Sequence, residues 1–202
     1  MSERIQLVTM DDWPLPYVEG LQTRPLDAID LIVMHCTELP DLTMAREYGE
    51  RVLYPSGTGN SGHYYIDRNG STHCFVAPER IAHHTQDFNQ RAIGIELVNR
   101  GRYPTWLDSR HQDMTQAYPQ EQIEALLGLL QHLREQLPQL RYIAGHEDLD
   151  RRRVPASDDG NKTVRRKRDP GPLFPWQRVL HASGLKRLGE HDQPIHQPAP
   201  RR

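Results

Sequence analysis

The feature that most constrains the fold is a set of short, almost wholly aliphatic runs separated by polar, turn-forming segments. Ile29–His35 (IDLIVMH) and Ala92–Val98 (AIGIELV) are apolar at consecutive rather than alternate positions. Such runs are typical of strands buried on both faces of a helix-covered sheet. Shorter runs at His63–Ile66, Ser71–Val76 and Leu140–Ala144 are further candidate strands. The sequence therefore predicts one sheet with at least five strands.

Two or three segments have the pattern of helices that could cover this sheet. Pro119–Leu137 has an apolar stripe at three- and four-residue steps, and a proline suits its first turn. Asp41 is a candidate N-cap for a helix over Leu42–Leu53, and Trp176–Ser183 is a candidate closing helix. The stripe consists of Ile123, Leu126, Leu127, Leu130, Leu133 and Leu137. Strands and helices alternate, which predicts an α/β or α+β fold around one sheet.

The chain of 202 residues has the size of one domain. We expect residues 1–28, which contain three prolines, to form an N-terminal arm that wraps the domain. The domain itself is expected at residues 29–184 and contains a basic, irregular insertion at 150–168. Residues 185–202 are expected to be a disordered tail.

Charge and hydropathy exclude several classes of protein. With 25 basic and 27 acidic residues the formal net charge is −2, which argues against a nucleic-acid binder. We expect the basic insertion to be a solvated loop, and polyanion contact is the alternative. No stretch approaches the roughly 18 apolar residues of a membrane span. The N-terminus lacks an apolar signal core, so we expect a cytoplasmic protein, with Cys36 a buried thiol and not half of a disulfide.

Polar residues stand at or near the ends of the apolar runs, where a rigid scaffold presents side chains to a cleft. His35 ends the run Ile29–His35, His146 follows soon after Leu140–Ala144, and Glu96 lies inside the run Ala92–Val98. Burying an unpaired carboxylate is costly, so Glu96 either pairs with an unseen cation or is functional. Asp169 precedes a proline, which favours an extended backbone. Two histidines and one carboxylate can form a catalytic zinc site, although spacing alone leaves open which histidines belong together.

Five blocks then carry a resemblance that covers most of the chain, from about Ile29 to Trp176. In order they are IVMHCTE, GHYYIDRNGSTHCFV, AIGIELVN, AGHEDLD and KRDPGPLFPW. This ordered set resembles the zinc-dependent N-acetylmuramoyl-L-alanine amidases of type 2, which share the fold of the peptidoglycan recognition proteins. The resemblance implies a single α/β domain with a central mixed β-sheet flanked by helices.

Carried over by position, the resemblance implies a Zn²⁺ cofactor and a set of site residues. His35, His146 and Asp169 match the zinc ligands. Glu96 matches the catalytic glutamate, and Lys167 matches a lysine that stabilises the transition state. The nearby basic residues Lys162, Arg165, Arg166 and Arg168 are alternatives for the lysine, because the 23-residue interval from His146 to Asp169 is longer than in compact members.

The resemblance also bears on three further positions. His84 matches a histidine that lines the groove and is expected to bind substrate. His63 occupies a position with a structural role. A second catalytic pattern in this fold has a tyrosine immediately before that histidine, but Gly62 stands there, so the Glu96 arrangement is the one expected.

The implied reaction is hydrolysis of the amide between the lactyl group of N-acetylmuramic acid and L-alanine of the stem peptide. For a cytoplasmic protein the substrates would be soluble peptidoglycan fragments (muropeptides), including the anhydro-sugar form, in cell-wall recycling. The alternatives are a module that binds such fragments without cutting them, and a zinc hydrolase of another specificity, such as a peptidase.

Overall fold

A computed structural model describes residues 9–188 as one α/β domain built on a mixed sheet. Within these residues the sheet has seven strands in the order β1-β4-β3-β5-β2-β6-β9. The strands are β1 (Met10–Asp12), β2 (Leu31–Cys36), β3 (Tyr64–Ile66), β4 (Thr72–Cys74), β5 (Ala92–Leu97), β6 (Tyr142–Gly145) and β9 (Lys186–Arg187). The predicted α/β fold with a central mixed sheet is confirmed, and the five candidate strands all lie in it.

The centre of the sheet is parallel, and one hairpin makes it mixed. β2 pairs in parallel with β5 on one side and β6 on the other, and β3 pairs in parallel with β5. β3 and β4 are antiparallel and are joined by the predicted turn, in which Gly70 has a φ of 87°. All six residues of β2 are buried, as expected for a strand covered on both faces.

Helix α2 (Gln120–Gln136) covers one face of the sheet. Its apolar side packs with the inward residues of β2, β3 and β5 in the main core cluster. Leu129 is fully buried whereas Leu127 is only half-buried, so the buried stripe is turned slightly from the predicted one. Gln122 is also fully buried, because its amide donates to the carbonyls of Ile66 and Val98 and fastens the helix to the sheet.

On the other face, helix α1 (Leu42–Gly49) and the N-terminal arm pack with Tyr65 of β3, while the central strands pack with Leu188, Phe88 and Leu149. The Asp41 carboxylate accepts from the amide of Met44 at 2.8 Å, which confirms the predicted N-cap, although the helix ends four residues before Leu53. In the arm, β1 adds an edge strand parallel to β4, and Leu15 is buried. Residues 1–8 of the predicted arm lie outside the described residues.

Two boundaries differ from expectation. The basic insertion is not irregular: β7 (Arg153–Pro155) and β8 (Thr163–Arg165) form an antiparallel hairpin, with Val154 opposite Val164. The domain also extends past residue 184, because β9 pairs with β6 and Leu188 is buried. The rest of the predicted tail, from residue 189, lies outside the described residues.

The C-terminal part of the domain is completed by two further helices, α3 (His146–Leu149) and α4 (Trp176–Ser183), the second where the sequence predicts it. Among the described residues, no helix is both long enough and apolar enough to cross a bilayer.

The packing of α2 on the sheet predicts the cost of a cavity there. Leu126 is fully buried, so Leu126→Ala should lower the free energy of unfolding by about 2–5 kcal/mol. Leu53 is 57% exposed, and Leu53→Ala should change it by less than about 0.5 kcal/mol. Urea unfolding of the two variants checks the difference, and equal losses would contradict this packing.

Candidate active site and metal centre

Three neighbouring parallel strands deliver three of the predicted site residues to one edge of the sheet. His35 is the fifth residue of β2, and Glu96 lies directly opposite it on β5. His146 follows the last residue of β6, which pairs with β2 on the other side. Because the carboxyl ends of parallel strands meet at one edge, residues far apart in sequence become neighbours.

Asp169 approaches this edge from the segment that follows β8. Its Oδ2 lies 2.9 Å from Nδ1 of His35 and 3.1 Å from Nδ1 of His146. One ligand atom from each of the three residues lies within 4.8 Å of the others, and all three residues are buried. The segment is fixed to the start of α3, since the amide of Glu147 donates to the Asp169 carbonyl at 2.9 Å.

The electrostatics of these three residues suit a cation. Burial lowers the pKa of His35 to about 4, which keeps its ring neutral, and the neutral ring is the form that ligates a metal. Burial alone would raise the pKa of Asp169, but the two histidines outweigh this effect and hold it well below its usual range. Asp169 Oδ1 is buried and has no hydrogen-bond partner among the described residues. The donor set and this unsatisfied oxygen together fit a divalent metal ion.

Glu96 lies beside this cluster without a strong partner. Its Oε1 is 3.9 Å from Nδ1 of His35, and its buried Oε2 has no hydrogen-bond partner among the described residues. Burial and, to a smaller extent, the nearby Asp169 together raise the pKa of Glu96 to about 8, while Lys167 opposes the shift. Among the described residues, Glu96 therefore has no close ion-pair partner other than the 3.9 Å contact with His35.

Gly62 explains why the tyrosine of the alternative catalytic pattern is absent. A Cβ atom at Gly62 would lie 2.8 Å from Cγ of Glu96 and 3.2 Å from the carbonyl oxygen of Gly94. Any side chain at this position would occupy the space that Glu96 uses. A larger residue at position 62 would therefore require Glu96 to shift.

His84 lies in the wall of the site, and its Nδ1 is 3.0 Å from Nε2 of His35. Its ring packs against the backbone of Gly94, where a Cβ atom would come within 2.7 Å of the ring. The neutral His35 ring has one N–H, and since Nδ1 faces the ionised Asp169 and donates to it, Nε2 accepts from Nδ1 of His84. The sequence did not reveal this contact, because the two residues are 49 positions apart.

His63 has the structural contacts that the resemblance implies. It is fully buried, its Nδ1 accepts from the amide of Gly94 at 3.0 Å, and its Nε2 lies 2.8 Å from a guanidinium nitrogen of Arg24. It therefore links the arm to β5. Cys36 and Cys74 are both buried and free, which confirms that Cys36 forms no disulfide.

The site opens into a cavity of about 980 Å³. Lys167 and Arg166 are the two basic residues of the 162–168 segment that line it, and Arg166 is already paired with Asp150. The sequence missed most of the remaining wall: Glu38, Tyr48, Tyr54, His83, Arg102 and Trp106. These residues come from loops and helix ends, where no hydrophobic periodicity indicates which side chain faces inward.

The fold and this His₂Asp cluster beside a half-buried glutamate define a domain of the amidase and peptidoglycan-recognition class. The N-acetylmuramoyl-L-alanine amidase family model matches residues 24–172. The chain belongs to this family, as its sequence blocks predict. Comparison with curated proteins found no match.

Solved structures support the fold. The amidase LysC from Clostridium intestinale URNW is 17% identical, with a TM-score of 0.58 over 88% of this chain and 99% of its own. The amidase AmiD from E. coli, solved with anhydro-N-acetylmuramic acid-L-Ala-D-gamma-Glu-L-Lys, is 24% identical. Its TM-score is 0.59, and the match covers 79% of this chain and 58% of the AmiD chain. The ectodomain complex of the peptidoglycan recognition proteins LCa and LCx, solved with tracheal cytotoxin, is 17% identical. Its TM-score is 0.54, and the match covers 85% of this chain and 95% of that chain.

The raised pKa of Glu96 predicts a pH-dependent stability of the metal-free protein. The folded value of about 8 exceeds the ordinary value of 4.5, so the folded state binds more protons between these pH values. This contribution to stability is present in full below about pH 4.5 and is lost as the pH rises to 8. Glu96→Gln should remove the loss and raise the Tm at pH 8.5 by at least about 2–4 °C.

Thermal unfolding of chelator-treated protein at pH 4.5 and 8.5 measures this effect. The exposed Glu47 provides the control, because Glu47→Gln should leave the Tm unchanged at both pH values. If the Glu96→Gln protein is no more stable than the wild type at pH 8.5, the raised pKa of Glu96 is contradicted.

Proposed function

We propose that this protein is a zinc-dependent N-acetylmuramoyl-L-alanine amidase that cleaves soluble muropeptides. The family membership supports the reaction class. The observation that carries the proposal for this chain is the approach of His35, His146 and Asp169 to within ligand distance of one another, beside Glu96. A module that only bound its ligand would have no need for a buried carboxylate oxygen, Oε2 of Glu96, without a hydrogen-bond partner among the described residues next to a metal-competent cluster.

His35, His146 and Asp169 would hold the metal. Two imidazole nitrogens and one carboxylate oxygen are a donor set typical of catalytic zinc, with a coordination position left open. Zinc bound there would act as a Lewis acid and lower the pKa of a water molecule toward ~7. Asp169 Oδ1, buried without a partner among the described residues, supports this assignment.

Glu96 is the proposed proton carrier. Its pKa of about 8 in the metal-free site is closer to neutral pH than that of an ordinary carboxylate, as a general base that later acts as a general acid requires. Glu96 would accept a proton from the attacking water and return it to the leaving amine of L-alanine. Gly62 leaves it the space to do so.

Lys167 is the proposed stabiliser of the tetrahedral intermediate, through donation from its ammonium group to the developing oxyanion. It is half-buried and lines the same cavity. The alternative basic residues are less suitable, because Arg166 pairs with Asp150, Lys162 pairs with Asp159, and Arg165 donates to the Glu147 carbonyl.

The substrate is proposed to be the amide between N-acetylmuramic acid, including its anhydro form, and L-alanine of the stem peptide. The similarity to AmiD, solved with an anhydro-muramyl peptide, supports this class. Free anhydro-muramyl peptides suit a role in cell-wall recycling, and the cytoplasmic location remains a prediction of the sequence. Binding of nucleic acid is disfavoured, since basic residues of the insertion are neutralised by Asp150 and Asp159.

The decisive experiment is incubation with anhydro and reducing muropeptides, followed by mass analysis. The wild-type protein should release the intact peptide with a free L-alanine amino group, and a chelator should stop the reaction. Glu96→Ala should keep the fold and the bound zinc but lose at least about 10²-fold in turnover. Wild-type turnover in this variant would contradict the role of Glu96, and binding without cleavage by the wild-type protein would favour the non-catalytic module.

His84 would line the groove. When Nδ1 of His35 binds a metal, the ring proton would lie on Nε2, and Nδ1 of His84 would accept that hydrogen bond and orient the ligand. Partners of this kind fix the tautomer of a ligating histidine, and their loss typically costs 10–100-fold in metal affinity. We therefore expect His84→Phe to weaken zinc binding by about 10-fold or more, measured by competition with a chromophoric chelator. His83→Phe is the control, because His83 packs on Tyr54, and equal affinities in both variants would contradict this role.

A further inference from the structure

A buried ion pair next to the site has no role in the chemistry described so far. Glu38 and Arg102 are only 7% and 3% exposed. The guanidinium donates from Nε to Oε1 and from Nη2 to Oε2 of Glu38, each at 2.7 Å. Glu38 also accepts from the backbone amide of Arg102. The pair is therefore held in one geometry and is almost entirely shielded from solvent.

The remaining donors of Arg102 point to the chain just before the proposed catalytic lysine. Nη1 donates to the carbonyl of Arg165 at 3.0 Å, and Nη2 donates to the carbonyl of Arg166 at 3.3 Å. Glu38 lies two residues after the end of β2, the strand that carries His35. Arg102 therefore connects this strand end to the segment that leads into Lys167 and Asp169.

The same segment has anchors on its other side. The amide of Glu147 donates to the Asp169 carbonyl, and the Tyr118 hydroxyl donates to the Pro170 carbonyl at 2.6 Å. On the side before Lys167, the Arg165 side chain donates to the carbonyl of Glu147 in α3, and the amide of Arg166 bonds to the carbonyl of Arg152 within the same insertion. The carbonyls of Arg165 and Arg166 accept hydrogen bonds from Arg102. Because Arg102 is held by Glu38 at the end of β2, these bonds connect the insertion to the sheet.

We propose that Arg102, held by Glu38, is a positioning residue that sets the place of Lys167 in the site. The proposal rests on the function proposed above. An arginine suits this task because its planar fork can bond one carboxylate and two carbonyls at once, which the single ammonium of lysine cannot do. A displacement of about 1 Å at a reacting group can cost about 10²-fold in rate, so a small loss of order before Lys167 has a measurable consequence.

The test compares Arg102→Lys with a matched control, Arg46→Lys. Arg46 is also only 7% exposed, is paired with Glu50 and donates to the carbonyls of Trp13 and Pro14, but these contacts lie in the N-terminal arm. The first readout is amide hydrogen exchange, which needs no activity. Arg102→Lys should speed exchange by about tenfold or more in residues 163–170 and leave the arm unchanged, and Arg46→Lys should do the reverse. Wild-type exchange at 163–170 in Arg102→Lys would overturn the proposal.

The second readout is turnover of an anhydro-muramyl peptide. Arg102→Lys should lower kcat by about tenfold or more with bound zinc retained, whereas Arg46→Lys should stay within about twofold of the wild type. In a Lys167→Ala background, Arg102→Lys should cost almost nothing further, because the residue through which it acts is gone. An equal cost in both backgrounds would reduce Arg102 to a structural residue and overturn the proposal.

Two further outcomes are informative. If Arg102→Lys does not fold, Glu38→Gln replaces it, since this variant keeps the size of the side chain and removes the charge and one of the two acceptor oxygens. It should give the same pattern in milder form, and wild-type exchange and kcat in a folded Glu38→Gln protein would overturn the proposal. If the wild-type protein has no amidase turnover, the proposed function fails, while the exchange comparison still decides whether Arg102 holds the segment.

Discussion

The pairing of β2 with β5 on one side and β6 on the other is the interaction on which the rest of the site depends. It sets His35 directly opposite Glu96 and brings His146 to the next strand end. Aliphatic residues cover both faces of β2, so apolar burial alone would tolerate a shift of one residue along the strand. Such a shift would turn His35 to the opposite face. The polar groups at the strand ends therefore distinguish the native register from its neighbours, and the apolar residues supply most of the driving force.

The cost of this arrangement is concentrated in a few atoms. His35, His146 and Asp169 compensate one another through hydrogen bonds, but Asp169 Oδ1 and Glu96 Oε2 are left without partners among the described residues. An unsatisfied buried oxygen costs about 1–3 kcal/mol, or more when it is charged. A sequence selected for stability alone would remove such groups. Other buried atoms also lack partners, such as Gln122 Oε1, but two carboxylate oxygens at one strand edge, beside the cluster of His35, His146 and Asp169, suit a ligand there.

Much of this fold can be predicted from the sequence because its signals are local. The aliphatic runs of β2 and β5, the stripe of α2 and the Asp41 cap each follow from neighbouring residues. The hairpin of the insertion was missed, because Val154 and Val164 are its sole buried or half-buried apolar pair and charged residues surround them. The contact of His84 with His35 and the pairing of Glu38 with Arg102 could not be predicted either. The first contact joins residues that are 49 positions apart in the sequence, and the second joins residues that are 64 positions apart. No hydrophobic periodicity indicates contacts over such separations.

The insertion between His146 and Asp169 raises the question of how a long excursion leaves two neighbouring ligands in place. The entropy of closing a loop grows only slowly with its length, so the added residues themselves cost little. What matters is that both ends of the excursion are fixed. His146 is fixed by following β6, and the return is fixed by the bond between the Asp169 carbonyl and Glu147, by Tyr118 and by Arg102. With its ends held in this way, the insertion is free to vary in length and charge without moving Asp169. The buried pair of Glu38 and Arg102 has a separate constraint. Removing either partner would leave the other charge unpaired in the protein interior.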